Sequence, residues 1–82
     1  MNKINKNFRT KIISIVEEHS SIKITENDID KDITTELGID SLIRVRILVS
    51  LEKKFNVDIP ESDAFNLNTI RETENYLTKK TK

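Results

Sequence analysis

The chain has 82 residues, of which 35% are hydrophobic and 34% are charged, and its 14 basic and 14 acidic side chains cancel. This length and composition are typical of one small globular domain, and the lack of a net basic charge argues against binding to nucleic acid. The sequence contains no cysteine, which excludes disulfides, thiolate metal sites and a cysteine nucleophile.

The first predicted helix lies near residues 6–19. Four apolar side chains recur there at the spacing of one helix face: Phe8, Ile12, Ile15 and Val16. The segment that follows, to residue 40, loses this period and is rich in Ser, Thr, Asn and Asp, whose side chains bond the local backbone. We therefore predict a long loop between the first and second helices. Four isoleucines are expected to fix this loop to the core: Ile22, Ile24, Ile29 and Ile33.

The second predicted helix begins at Asp40 or Ser41, because either side chain can cap a helix. It ends near residues 53–56, where two lysines suit the negative end of the helix dipole. The pattern predicts a wide apolar face for a central helix. We assign its stripe to Val45, Leu48, Val49 and Glu52, widened by Ile47, Leu51 and Phe55.

A third and a fourth helix follow. Pro60 suits the first turn of a short helix near residues 61–66. The run TIRE, residues 69–72, is typical of a capping box and opens a fourth helix that is predicted to reach about Thr78. The sequence therefore predicts an all-α fold, a four-helix bundle with a short third helix and a long loop between helices one and two.

We predict a single domain over residues 1–82, ordered over about 5–79, with frayed basic ends. The basic start of the chain is not followed by an apolar run, unlike a secretory signal. No apolar stretch approaches the ~20 residues of a transmembrane helix. We therefore expect a cytoplasmic protein without membrane contact.

Few residues could support catalysis. His19 is the only histidine, and Glu17 and Glu18 precede it too closely in a helix to orient it. Ser41 lies outside any G-x-S-x-G hydrolase motif. We therefore expect no enzyme activity and a surface imidazole at a helix end. The basic residues at the start of the first helix are interpreted as solvated: Lys3, Lys6, Arg9 and Lys11.

Three alternating acids, Asp28, Asp30 and Asp32, resemble the spacing of calcium ligands. An EF-hand loop also requires glycine at its sixth position and glutamate at its twelfth. Those positions are Ile33 and Ile39 here. The acids are better explained as a solvated loop, and no metal site is predicted.

Ser41 is the residue whose chemistry needs explanation. Gly38 supplies a turn that a β-carbon would hinder, and Asp40 can already cap the helix. The Ser41 hydroxyl would then lie free at a helix N-terminus, where unpaired N–H groups and the dipole favour an anion. From the residues alone, a serine that carries a phosphate group and a simple capping serine are equally good interpretations.

The run LGIDSL, residues 37–42, resembles the attachment motif of acyl carrier proteins. The resemblance continues at matching spacing over nearly the whole chain, through Val45, Leu48, Leu51, Glu52, Phe55 and the run DIP at residues 58–60. It implies a four-helix bundle whose serine is modified by 4′-phosphopantetheine, donated from coenzyme A by a phosphopantetheinyl transferase. By this resemblance Ser41 is the attachment site, Asp40 helps the transferase to engage it, and Leu42 is an apolar contact beside the arm.

The function that the resemblance implies is carriage of acyl intermediates as thioesters. The arm would supply the thiol that the cysteine-free chain lacks. The implied partners are the transferase and the acyl-loading, condensing and transferring enzymes that act on the cargo. We expect the carrier to be a monomer.

The second helix departs from the pattern of fatty-acid-synthesis members, in which it is strongly acidic. The residues expected to contact partners here are Ile43, Arg44, Arg46 and Lys53. Because charge complementarity selects partners, we expect a role in polyketide or other specialised biosynthesis. Three alternatives remain: an aminoacyl or peptidyl carrier of a nonribosomal pathway, a fatty-acid-synthesis carrier, and an unmodified helical interaction module.

Overall fold

The computed structural model describes the backbone of residues 2–81 and the side chains of residues 8–81. The side chains of Lys3 and Lys6, predicted to be solvated, are not among the described ones, and of the ends predicted to fray, Met1 and Lys82 lie outside the described residues. The helices at the two ends extend further than predicted, to Asn2 and to Lys80. The described part of the chain is all-α, as predicted. Its helices are α1 (Asn2–Ser20), a 3₁₀ helix (Glu26–Asp28), α2 (Ser41–Phe55), α3 (Glu61–Ala64) and α4 (Ile70–Lys80). Among residues 2–81, no helix is both long and apolar enough to cross a membrane.

The core lies where α1 packs against α2 and α4. Each of these helices contributes apolar side chains that are almost fully buried: Ile12 and Val16 from α1, Ile47 and Leu51 from α2, and Ile70 and Leu77 from α4. At one end of the core, the rings of Phe8 and Phe55 meet edge to face with centroids 4.8 Å apart. These contacts hold α2 against the rest of the bundle.

The long loop is fixed to the core by its isoleucines, as predicted. Ile24, Ile29 and Ile33 are buried, and Ile22 is partly buried. Two backbone hydrogen bonds also join the loop to the start of α4: the Ile33 N–H donates to the Asn68 carbonyl at 2.8 Å, and the Arg71 N–H donates to the Ile29 carbonyl at 3.0 Å. The loop is therefore a packed part of the domain.

The predicted apolar stripe of α2 is confirmed for Ile47, Leu48, Leu51 and Phe55, and it is wrong for Val45, Val49 and Glu52. The buried residues are Ile47 and Leu51, whereas Val45 and Val49 are 55% and 43% exposed. Glu52, a predicted member of the stripe, accepts a hydrogen bond from the Ile59 N–H at 2.8 Å. The alternation of apolar residues around α2 leaves several possible faces, and packing against α1 selects the one centred on Ile47 and Leu51.

The interpretation of Arg9 as a solvated residue was also wrong. Its Nε and Nη2 atoms donate to Oε1 of the buried Glu74 at 3.0 and 2.9 Å, and its Nη1 atom donates to Glu26 at 2.9 Å. The hydrogen bond to Glu74 raises the pKa of Arg9 above its ordinary value. A buried carboxylate needs such a partner, so this pair joins α1 to α4 at the edge of the core.

Helix α3 is a single turn that ends at Ala64, two residues earlier than predicted. The Tyr76 hydroxyl of α4 donates to Oδ2 of Asp63 at 2.6 Å. Burial is the main cause, and this hydrogen bond the second, that raises the pKa of Tyr76 to about 12. The contact therefore ties α3 to α4 while the phenol keeps its proton.

We predict that Tyr76 titrates far above an ordinary tyrosine. It is the only tyrosine and the chain has no tryptophan, so phenolate absorbance reports this group alone. The midpoint should lie near pH 12 in the folded protein and near pH 10 in urea. Because the pKa is raised in the folded state, its contribution to stability is complete below about pH 10 and is lost as the pH rises through about 12. Asp63→Asn should lower the folded midpoint. A midpoint near 10 in the folded wild type would show that the contact is absent in solution.

Candidate functional site

The turn before α2 depends on the backbone conformation of Gly38. Its φ is +72°, in the left-handed region, and a Cβ added there would meet no atom within 4 Å. The requirement is therefore conformational, because an L-residue in this region is strained by roughly 1–2 kcal/mol. Ile39 follows with 2% exposure, and its N–H donates to the Ile33 carbonyl at 3.0 Å. The chain is thus fixed immediately before the helix begins.

Asp40 caps α2. One of its carboxylate oxygens accepts a hydrogen bond from the Leu42 N–H at 3.1 Å, and its carbonyl accepts the first helical bond from the Arg44 N–H at 2.9 Å. Ser41 is the first residue of the helix, and it is exposed. The capping function belongs to Asp40 in this structure, which leaves the Ser41 hydroxyl free for another role.

An open groove lies beside Ser41, between α2 and the segment that contains α3. Its volume is about 270 Å³. From α2 the lining side chains are those of Ser41, Arg44, Val45 and Leu48, and from the other side those of Glu61, Ala64, Phe65 and Asn68. Phe65 is 73% exposed, which is unusual for so large an apolar ring. The groove gives a group attached to Ser41 a partly apolar surface to lie against.

These residues fit a phosphate-linked arm. The hydroxyl of Ser41 is accessible, and the N-terminus of α2 presents the positive end of its dipole to a phosphodiester. Asp40 satisfies the Leu42 N–H, and the other N–H groups of the first turn have no helical partner and are available to an anion. Ser41 is itself exposed, as are Asp40 and Leu42 on either side of it, so no side chain among the described residues buries the site.

The residues predicted to contact partners fall into two groups. Arg46 and Lys53 are exposed, and Leu42 is 59% exposed on the same side of α2. Ile43 is half-buried and packs against the core. Arg44 is also half-buried, and its side chain turns towards the bundle rather than towards solvent.

The sequence analysis missed the contacts of Arg44. Its Nη2 atom donates to the Leu67 carbonyl at 2.9 Å and lies 3.5 Å from Oδ1 of Asn68, and its Nη1 atom donates to Thr34 at 3.2 Å. The spacing of Arg44 could have indicated these contacts. Arg44 precedes the buried Ile47 by three residues and therefore lies on the same side of the helix.

The remaining candidates have structural roles. His19 is half-buried, and its Nε2 atom lies 2.7 Å from Oγ of Ser50, which joins α1 to α2. Asp28 pairs with Lys31 at 2.9 Å, and Asp30 pairs with Arg71 at 2.6 Å. Within the described range, no three acidic or histidine side chains converge in a way that could hold a metal ion.

The acids of the loop were predicted to be solvated, but two of them accept hydrogen bonds from backbone N–H groups. Oδ1 of Asp32 accepts hydrogen bonds from the N–H groups of Thr34 and Thr35 at 2.9 and 2.8 Å. The bond from Thr35 is the main cause that lowers the pKa of Asp32, and the bond from the Thr25 N–H does the same for Asp28. These acids shape the loop that leads to Gly38.

A family model described as "Phosphopantetheine attachment site" matches residues 10–77. The chain belongs to the acyl carrier protein family. Proteins named acyl carrier protein from Rickettsia bellii (strain OSU 85-389) and Campylobacter jejuni subsp. doylei are similar to it. The first is 34% identical over 71 residues, 87% of this chain and 88% of the relative. The second is 39% identical over 64 residues, 78% of this chain and 83% of the relative.

An acyl carrier protein is a carrier and not an enzyme, as predicted. Membership of the family implies a covalently attached 4′-phosphopantetheine, and interaction with a phosphopantetheinyl transferase and with biosynthetic enzymes. The thiol comes with that group, because this carrier has no cysteine. The predicted fold, family and cofactor are therefore confirmed.

We predict that Asp40, and not Ser41, stabilises the start of α2. Asp40→Ala should lower the free energy of unfolding by about 1 kcal/mol, whereas Asp40→Asn should change it by only a few tenths, since asparagine caps equally well. Ser41→Ala should stay within about 0.5 kcal/mol of wild type. Urea denaturation of the unmodified variants measures all three. If Ser41→Ala lowers the free energy of unfolding as much as Asp40→Ala does, Ser41 contributes to the cap and the prediction is wrong.

Proposed function

We propose that Ser41 carries the 4′-phosphopantetheine arm and that the protein presents acyl intermediates, held as thioesters, to biosynthetic enzymes. The supporting observation is the exposed hydroxyl on the first residue of α2, next to a cap that Asp40 already provides. An adjacent groove of about 270 Å³ offers the arm and a short cargo a surface to contact. Tethering then raises the cargo's effective concentration at each docked enzyme.

The residues around Ser41 have distinct parts in this proposal. The arm supplies the thiol that forms the thioester. Gly38 and Asp40 fix where α2 begins, so the hydroxyl stays in one position relative to the bundle. The Asp40 carboxylate is exposed beside it and available to a transferase, and Leu42 provides an exposed apolar contact on the next residue.

We propose that enzymes dock on the outer side of α2. This basic docking face consists of Leu42, Val45, Arg46, Val49 and Lys53, all of them exposed. Its apolar members recur at the spacing of one helix side and its charges are positive. Glu52, the only acid in the helix, is half-buried against the Ile59 N–H, so the exposed charges of this face are positive. The face is therefore complementary to an acidic, partly apolar surface on a partner.

This charge supports a pathway other than fatty-acid synthesis. We propose polyketide or other specialised biosynthesis, with acyl-loading, condensing and transferring enzymes that present acidic docking surfaces. The relatives' names specify a carrier and no pathway. A fatty-acid carrier and an aminoacyl or peptidyl carrier are the alternatives, and the family match argues against an unmodified interaction module.

The proposal includes a cytoplasmic monomer. In a two-fold dimer formed through the basic docking face, Arg46 and Lys53 would meet their own copies, because such interfaces use the same patch on both subunits. Repulsion between like charges disfavours that arrangement. The face then stays free for enzymes.

We predict that one phosphopantetheinyl group is added at Ser41. The protein is incubated with coenzyme A and a phosphopantetheinyl transferase of broad specificity, and its intact mass is measured. Wild type should gain the mass of one group, and Ser41→Ala should gain none. Ser50→Ala is the matched control, because that hydroxyl lies on the same helix but contacts His19. No gain in wild type, or a gain in Ser41→Ala, would reject the assignment.

We predict that reversing the basic docking face changes which enzymes accept the carrier. The variant Arg46→Glu/Lys53→Glu, loaded with an acyl group, is offered to a fatty-acid condensing enzyme with a basic docking patch. Its transfer rate at low salt should rise about tenfold or more above wild type, because electrostatic steering acts on association. The control Lys23→Glu/Lys79→Glu makes the same change in net charge on exposed lysines outside α2.

The salt dependence separates steering from an effect on folding. The advantage of the reversed variant should shrink as ionic strength rises, since salt screens exposed charges. Equal rates for wild type, the reversed variant and the control would remove the docking proposal while leaving the attachment at Ser41 intact.

A further inference from the structure

Two spaces in the bundle share a wall. The groove beside Ser41 and a second, more enclosed space in the core are both lined by Arg44 and Leu48. The core space has a volume of about 20 Å³, and apart from Arg44 and Thr73 its lining is apolar. Bundle cores can hold apolar ligands, but this volume admits about one water molecule. A cargo chain can therefore enter the core only if the shared wall opens.

Arg44 ties this wall to two other parts of the protein. The bond from its Nη2 atom to the Leu67 carbonyl, at 2.9 Å, reaches the segment between α3 and α4. The bond from its Nη1 atom to Thr34, at 3.2 Å, reaches the long loop. Hydrogen bonds from a charged donor are stronger than neutral ones. The Arg44 side chain therefore connects α2, the segment between α3 and α4, and the long loop at the floor of the groove.

The segment that Arg44 holds is fixed from its other side as well. Leu67 is buried with 4% exposure, and the carbonyl of Asn68 accepts the bond from the Ile33 N–H. Moving this segment away from α2 would break the bond from Arg44 to the Leu67 carbonyl and strain the bond between Asn68 and Ile33. The amide of Ile33 therefore reports whether the wall is closed.

We propose that Arg44 is a latch: it keeps closed the wall between the groove at Ser41 and the space in the core, so that this carrier holds its cargo in the surface groove. This inference rests on the proposed attachment at Ser41. The groove, at about 270 Å³, is slightly smaller than the ~300 Å³ at the lower end of small-molecule pockets. Short acyl groups fit within it, and the distal part of a long chain stays in water. Arg44 is thus a positioning residue that determines the cargo's depth.

The first test uses the unmodified protein. Arg44→Met keeps an unbranched side chain of similar length but removes every hydrogen bond. Amide hydrogen exchange at Ile33 should become about tenfold faster or more, as the loss of charged hydrogen bonds implies, while Leu77 in the core of α4 changes less. The matched control is Arg71→Met, which removes another arginine tie to the long loop, at Asp30, but lines neither space. Unchanged exchange at Ile33 in Arg44→Met, or an equal rise in Arg71→Met, would overturn the latch.

The second test asks where the cargo lies. Wild type and Arg44→Met are loaded with hexanoyl or dodecanoyl groups, and Tm is measured for each form. In wild type the two Tm values should agree, because the additional methylene groups stay in water. In Arg44→Met the dodecanoyl form should melt about 4 °C or more above the hexanoyl form, because its chain becomes buried in the core. Equal gains with chain length in both proteins, or no gain in Arg44→Met, would overturn the proposed role in cargo depth.

Two precautions keep the outcomes separate. If Arg44→Met does not fold, Arg44→Lys retains one charged donor and should give the same differences at reduced size. If Ser41 accepts no arm, intact mass shows that the proposed function has failed, and the exchange at Ile33 still decides whether Arg44 closes the wall.

Discussion

The packing of Ile47 and Leu51 fixes the rotation of α2 about its own axis, and the functional surface follows from that rotation. An α-helix turns by about 100° per residue. Arg44 therefore lies on the inner side, where it reaches the Leu67 carbonyl, and Leu42 and Val49 lie on the outer side. Ser41 lies between them, open to solvent and next to the groove. A different rotation would bury the hydroxyl or expose the arginine, so two core side chains determine what the carrier offers to its partners.

The positions of the acidic side chains explain how a chain without net charge presents a basic helix, because only one acid, Glu52, lies in α2. Many of them are engaged by backbone N–H groups at helix ends and turns, where a carboxylate satisfies donors that have no helical partner. Glu17 binds the Ile24 N–H, Asp40 that of Leu42, Glu52 that of Ile59, and Glu72 those of Asn68 and Thr69. Within the described part of the chain, the exposed cations of α2 make no comparable internal hydrogen bond, and they dominate the outward side of that helix.

Local signals predicted most of the fold. The capping box at Thr69 and Glu72, the αL-compatible glycine at residue 38 and the isoleucines of the loop each depend on neighbours in sequence, and the structure agrees with all three. What the sequence did not reveal depends on contacts between distant segments. The pairing of Arg9 with Glu74 spans 65 positions, and the contact of Arg44 with Leu67 spans 23. A charged residue on an apolar helix side looks like a surface residue until its distant partner is known.

The brevity of α3 has a consequence for the dynamics of the groove. This one-turn helix contains no buried residue, and two hydrogen bonds, Tyr76 to Asp63 and the Ile59 N–H to Glu52, tie it and the residues just before it to the neighbouring helices. A helix of one turn has little intrinsic stability, and regions with few buried contacts open locally at lower free energy than the global unfolding reaction. The side of the groove formed by α3 can therefore fluctuate, while the side formed by α2 is held by the core. The hydroxyl at residue 41 keeps its place during such fluctuations, and the space beside it adapts to the group it receives.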